Sequence, residues 1–289
     1  MYAQTQEKVE MLRKTVLTAT ALAAVAVTAL ATPAANASAQ PNLVGGHEAT
    51  GNTSWMASLQ YDAPAYGRVA WHTCGAALLF RSWVVTNAHC VTDPPGDAGG
   101  IPTAAKSFSV RVGSKDRRQG GETAKVVKIV VHPGWQWSAG APEQPVDDVA
   151  LLQLDHAVTE QPIQLGGRAA RPGERVTLYG WGVDQPDGGG SLPLKLQQLE
   201  TKVLPPLKCA DAQQSVAEIC TSNPHGTDGP GPGDSGGPAV ALVRGVPQLV
   251  GTCSRAAARY PGEKPTVYTS SPDFRGWLYD TARGVPATS

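Results

Sequence analysis

The chain has no excess charge of either sign. Its 24 Lys+Arg are balanced by 24 Asp+Glu over 289 residues, so nothing electrostatic points to nucleic acid or to an anionic membrane as partner. It also lacks a long apolar run. The longest, Val16–Leu30, is well short of the roughly 20 residues that span a bilayer, so stable membrane insertion is not expected. Internal repeats and low-complexity tails are absent, which sets repeat architectures aside. No cysteine or histidine spacing resembles a zinc site, and the carboxylates of the Asp116–Glu122 loop lack a calcium-type pattern. Neither metal nor cofactor is expected.

What is present begins with an export signal. Arg13 and Lys14 precede the apolar run, and small residues ending Ala37-Ser38-Ala39 follow it, the layout of a secretory signal peptide over residues 1–39. Gln40-Pro41-Asn42 would then be a very short propeptide. Removing residues 1–42 takes away three basic and two acidic side chains and leaves a near-neutral, exported chain. Disulfides become permissible there.

With 32 glycines and 24 prolines, the remainder is turn-rich. Short apolar or alternating runs recur between turn clusters: Ala57–Tyr61, Ala76–Phe80, Trp83–Thr86, Ser107–Val112, Lys125–Val131 and Val149–Leu154. Arg175–Tyr179, Leu194–Leu204, Ala239–Val243, Gln248–Ser254 and Thr266–Thr269 follow. This is the pattern of an all-β sandwich or barrels. One helix is expected, at the C-terminus, with Ser270 or Ser271 as cap, Pro272 in its first turn, and an apolar face of Phe274, Trp277 and Leu278. A proline-rich loop lies around Pro142–Pro145, and Gln161–Gly173 is the expected crossing between two halves.

Three separated motifs carry chemistry. Gly233-Asp234-Ser235-Gly236-Gly237-Pro238 sets a hydroxyl among glycines that let a carbonyl approach and turn backbone N–H groups inward. Thr86-Asn87-Ala88-His89-Cys90 ends a strand-like run with an imidazole. Asp147-Asp148-Val149-Ala150-Leu151-Leu152 puts a carboxylate at the mouth of a buried strand, Asp148 nearest the strand and Asp147 free to face water. Serine, histidine and aspartate supply nucleophile, base and orienting acid.

In this order and context the chain resembles the trypsin/chymotrypsin-type serine proteases from Leu43 to the terminal helix. The resemblance implies two six-stranded antiparallel β-barrels, over residues 43–160 and 161–289, followed by a C-terminal α-helix. It implies hydrolysis of peptide bonds by Ser235, His89 and Asp148, with an oxyanion hole made by the N–H groups of Gly233 and Ser235. Leu43-Val44-Gly45-Gly46 resembles the family's activated N-terminus, freed by cleavage after Asn42, whose amino group would pair with Asp234. Ser254 falls where a serine supports the triad aspartate. Cys74–Cys90 and Cys209–Cys220 match family disulfides, leaving Cys253 a buried free thiol. Protein or peptide substrates, proteinaceous inhibitors and a monomeric state follow from the same likeness.

The pocket departs from the family. Gly229 stands where trypsin-like members carry an acid, while Asp228 beside it could reach inward. Gly231 and Arg259 replace the cysteines that join the pocket walls, and Arg255 replaces an aromatic wall. Ala256 and Thr266 stand in place of glycines. A pocket bounded by Gly229, Pro230, Ala256 and Thr266 is therefore expected to favour small neutral residues before the scissile bond. A catalytically silent binding module and an esterase are the competing readings.

Overall fold

The computed structural model describes residues 43–96, 100–137 and 146–285. The expected signal peptide, the propeptide and the Pro142–Pro145 loop lie outside the described residues.

Among the described residues fourteen strands occur in chain order, and twelve of them build two barrels. After a short β1 (His47–Glu48), the first barrel takes β2 (Met56–Ala63), β3 (Arg68–Phe80), β4 (Trp83–Thr86), β5 (Ser107–Val112), β6 (Glu122–Val131) and β7 (Ala150–Leu154). These close in the order β2-β3-β4-β7-β6-β5, every pairing antiparallel. The sequence explains the closure: β5, Ser-Phe-Ser-Val-Arg-Val, alternates outward and inward side chains, whereas the all-apolar faces of β4 and β7 are buried in the middle.

The second barrel follows a short β8 (Gln164–Leu165). It comprises β9 (Arg175–Gly180), β10 (Gln197–Leu204), β11 (Glu218–Thr221), β12 (Pro238–Val243), β13 (Val246–Ala256) and β14 (Thr266–Thr269). The path β10-β11-β14-β13-β12-β9 closes because β9 also pairs with β10. The crossing segment is not free coil. Its strand β8 runs parallel to β13, Gln164 opposite Gln248 and Leu165 opposite Leu249, so the connection is zipped to the second barrel.

Three local expectations need correction. Strand β3 begins at Arg68, well before Ala76, because the ribbon it forms with β2 leaves Val69 and Trp71 in water and so hides the apolar signal. Strand β11 has no counterpart among the expected strands; its four residues take their register from β14 and not from their own pattern. Neither Ser270 nor Ser271 caps the terminal helix with its side chain. A 3-10 turn, Ser271–Phe274, precedes the helix α1 (Arg275–Arg283), and backbone bonds such as Asp273 N–H to Ser270 C=O satisfy the donors that a hydroxyl would have served. The apolar face is as expected, with Leu278 buried. That face leaves the second barrel and packs on the first, where Tyr279 meets Phe80 edge-on at 5.2 Å.

Candidate active site

Strand ends on both sides of the inter-barrel cleft supply the site. His89 sits on a 3-10 turn that leaves β4, fixed by the disulfide from Cys90 to Cys74 on β3. Asp148 lies just before β7. Its carboxylate is buried and surrounded by donors: His89 Nδ1 at 2.8 Å, Asn87 Nδ2 at 2.9 Å and Ser254 Oγ at 2.7 Å on Oδ2, and the His89 N–H at 3.0 Å on Oδ1. Burial opposes ionisation of Asp148, but His89 and these donors outweigh it and hold the carboxyl at about 2. Burial likewise works against the charged form of His89; the facing Asp148 overcomes it and raises the imidazole above its ordinary value. With its Nδ1–H given to Asp148, His89 keeps the Nε2 lone pair free.

Ser235 lies in the turn before β12 and shares a cleft of about 440 Å³ with His89. No hydrogen bond joins the two side chains among the described residues, and His89 Nε2 lies 3.8 Å from Cys90 Sγ. Such contacts tighten on substrate binding in many enzymes. The loop is tightly constrained. Gly75 on β3 donates to the Ser235 carbonyl at 2.7 Å, and Gly236 donates to Cys253 C=O at 2.9 Å. Gly236 has φ +73°, and a Cβ there would lie 2.1 Å from Thr86 Oγ1, so no other residue fits. The Gly233 and Ser235 N–H groups find no protein acceptor among the described residues, and that leaves both to receive an oxyanion.

Beneath them Asp234 is buried with a different set of partners. Gly182 N–H donates to Oδ1 at 2.7 Å and Gly231 N–H to Oδ2 at 2.9 Å. Burial pushes the carboxyl up to about 7, against the two amide donors. Leu43 is fully buried in the second barrel among Val176, Leu178 and Cys253, and Val44 is bridged to Gly229. The segment expected to form the mature N-terminus is thus already seated in that barrel. Cys253 is a buried free thiol, and burial pushes its pKa far up. Cys209 is joined to Cys220. The only cluster of metal-ligating side chains among the described residues is Cys74, His89 and Cys90, and its sulfurs form the disulfide.

A second cleft of about 350 Å³ opens beside Ser235 and is lined by Pro230, Gly231, Ser254, Arg255, Ala256 and Thr266, with Asp187, Arg259 and Tyr260 also bordering it. Gly229 does not line it. A side chain at Gly229 would meet Gly262 Cα at 3.0 Å, behind Thr266. Nor does Asp228 reach inward: its carboxylate takes His225 Nδ1 at 2.6 Å and lies against Gly45. Arg255 is no free wall either. Its guanidinium forms a two-pronged pair with the buried Glu218, donates to the carbonyls of Ala212 and Gln213, and reaches Ser254 Oγ at 3.3 Å.

Some participants carried no signal in the sequence. Asp147 does not face water; it adopts φ +49°, and its carboxylate meets His132 Nδ1 at 3.2 Å with little exposure. His72 is a buried imidazole whose Nε2 meets the Gly233 carbonyl at 3.0 Å and whose Nδ1 meets Ser58 Oγ at 2.8 Å. Burial lowers its pKa to about 4, so it is neutral and donates from Nε2. Thr269 Oγ1 donates to Asp148 C=O at 3.0 Å. The His72–Gly233 and Thr269–Asp148 contacts, with Ser254 on Asp148, bind the loops of one barrel to the other.

A family model described as Trypsin matches residues 43–278. Trypsin beta of Drosophila erecta is 31% identical over 253 residues, covering 83% of this chain and 88% of its own length. Chymotrypsin-like elastase family member 1 of Macaca fascicularis is 32% identical over 260 residues, covering 83% and 89%. Trypsin of Sarcophaga bullata is 28% identical over 253 residues, covering 84% and 92%. The paired barrels and this likeness, which runs through both of them, place the chain in the trypsin family of serine endopeptidases.

Proposed function

We propose that the chain is a secreted endopeptidase in which Ser235, His89 and Asp148 form the catalytic triad. The observation that carries this reading is the pair formed at 2.8 Å by buried Asp148 and partly exposed His89, which opens onto the cleft that holds Ser235. Ser235 Oγ attacks the scissile carbonyl carbon while its proton passes to His89 Nε2. The carbonyl oxygen takes the negative charge and receives the N–H groups of Gly233 and Ser235, each such donor being worth about 2.7–4 kcal/mol of barrier. Collapse breaks the C–N bond, and His89 returns the proton to the leaving amine. Water, deprotonated by the same nitrogen, then releases the acyl group. Asp148 keeps the imidazole in one tautomer throughout.

Removal of residues 1–42 completes the molecule in this reading. The new amino group of Leu43 pairs with Asp234 and supplies the charge that its buried carboxylate lacks. Export rests on the signal-like residues 1–39 and is consistent with two disulfides. Ala256 and Thr266 border the cleft beside Ser235, and the position that is acidic in trypsin-like members is Gly229, which favours small neutral residues before the scissile bond. Substrates are proteins or peptides, and proteinaceous inhibitors would occupy the same cleft; the chain acts as a monomer.

A fluorophosphonate probe tests the triad. Protein processed at Leu43 is expected to be labelled at Ser235, with labelling lost in Ser235→Ala. A folded, processed protein that stays unlabelled would return it to the class of binding modules. Cleavage of a peptide library then separates a peptidase from an esterase.

A further inference from the structure

Next to Gly233, and sharing no lining residue with the cleft of Ala256 and Thr266, lies a cleft of about 740 Å³, larger than either cleft that touches Ser235. Arg111, Arg117 and Arg118 line it together with Trp71, His72 and Leu192, and no carboxylate does. In a chain of zero net charge this is a local segregation of one sign. Two of the nearby acids have partners of their own, while Asp184 stands beside the lining Gly190. Asp116 faces Lys195 Nζ at 3.3 Å and accepts the Arg118 and Gln119 donors, and Asp62 accepts the Ala70 N–H. His72 is neutral and adds no charge. Arg117 is spent on structure, donating to the carbonyls of Leu192 and Pro193, but carbonyls leave its positive charge uncancelled. Arg111 gives Nη1 to Gly120 C=O, while its buried Nε has no partner. Three arginines thus line a cleft that no carboxylate lines, an arrangement that favours an anionic occupant.

The cleft adjoins the reaction centre. His72 touches both this cleft and the Gly233 carbonyl, and Leu192 packs against Gly233. Thr73 and the Cys74–Cys90 disulfide line the cleft of His89 and Ser235 and continue along β3 to His72 and Trp71. If the residue before the scissile bond occupies the cleft of Ala256 and Thr266, this separate cleft next to Gly233 is available to the chain after it. We propose that Arg111, Arg117 and Arg118 form a subsite for acidic residues of the substrate on the leaving-group side of the scissile bond. The assignment rests on the proposed function for its direction of substrate binding.

The test uses the protein processed at Leu43 and two internally quenched peptides. They share the residues up to the scissile bond and differ only in carrying glutamates or glutamines after it. At low ionic strength kcat/KM is expected to be at least tenfold higher for the glutamate peptide, and 1 M NaCl should remove most of the difference, since the Debye length falls to about 3 Å. Arg118→Glu, at an exposed position, should invert the ratio; Arg111→Gln, as a second variant, should reduce it. Equal kcat/KM for the two peptides in low salt overturns the proposal. So does a preference that survives Arg118→Glu with an unchanged melting curve. Tight binding of a sulfated glycan, weakened by Arg118→Glu but without peptide discrimination, would assign the cleft to a glycan instead. Fluorescence anisotropy of the two product-side peptides reads the cleft without catalysis. An inert Ser235 with retained glutamate selectivity would therefore sink the triad and spare the subsite.

Discussion

Two aspartates lie buried beneath the same cleft and have opposite chemistry. Asp148 and Asp234 are each almost wholly hidden from solvent, yet the first is held at about 2 and the second pushed up to about 7. Burial acts on both in the same direction. What differs is company: Asp148 faces an imidazole, an amide, a hydroxyl and a backbone N–H, whereas Asp234 has two backbone N–H groups and, among the described residues, no cation. The displacement at Asp234 corresponds to about 4 kcal/mol against its charged form. Asp148 is therefore a finished electrostatic unit, and Asp234 in the unprocessed chain is one short of a positive charge.

The largest expected effect breaks the finished unit. Asp148→Asn should leave the fold intact and lower kcat by about 10⁴-fold, the size of loss that the corresponding change causes in trypsin itself. Steady-state kinetics on the processed protein checks it, and a loss under tenfold would mean that Asp148 does not orient His89.

The next effect concerns the unfinished one. In the unprocessed chain, carrying Ser235→Ala to prevent self-cleavage, the raised carboxyl of Asp234 favours folding below its ordinary value. That contribution is lost as pH rises from about 4 to about 7. Melting temperature should fall over this window by on the order of 10 °C. In the processed chain the amino group of Leu43 supplies the cation, and its pKa rises above the free value of about 7.7–8.0. Stability from that pair is full below the free value and is lost as pH passes the raised one, so both stability and activity should persist at neutral pH and fail at alkaline pH. Parallel melting profiles for the two forms would show that Leu43 and Asp234 do not pair. Asp148 supplies the internal contrast: its stabilisation is present above its ordinary value and disappears only as pH falls through about 2.

Smaller effects sharpen the comparison. The acid limb of kcat/KM should lie above pH 6.5, because Asp148 raises His89. Ser254→Ala removes one of four donors to Asp148 and should cost about 1 kcal/mol, a few-fold in kcat/KM, with a small upward shift of the carboxyl. A loss as large as that of Asp148→Asn would make Ser254 a far stronger partner than its single bond suggests.

The sequence was informative where a residue type has few other uses. Ser235 among glycines, His89 after a strand and Asp148 before one could each be placed because the local backbone dictates the neighbours. The glycines at 180 and 182 had a reason that appears only in space, since any side chain there would overlap the Asp234 carboxylate. Contacts made over long separations stayed hidden. Glu218 and Arg255 lie 37 residues apart and form their pair only because β11 and β13 both flank β14. His72 gives no sign of its role until Gly233 is brought against it. Asp147 misleads for a related reason: next to a buried aspartate it reads as the solvent-facing one, yet its left-handed backbone turns it onto His132.

Gly75 of the first barrel grips the carbonyl of Ser235, which hangs from the second, while Ser254 and Thr269 reach back to hold Asp148. The working parts are thus the rivets of the joint itself. A wedge driven between the halves, by denaturant or by tension, disarms the molecule. Catalysis should therefore fade earlier than any spectroscopic sign of melting.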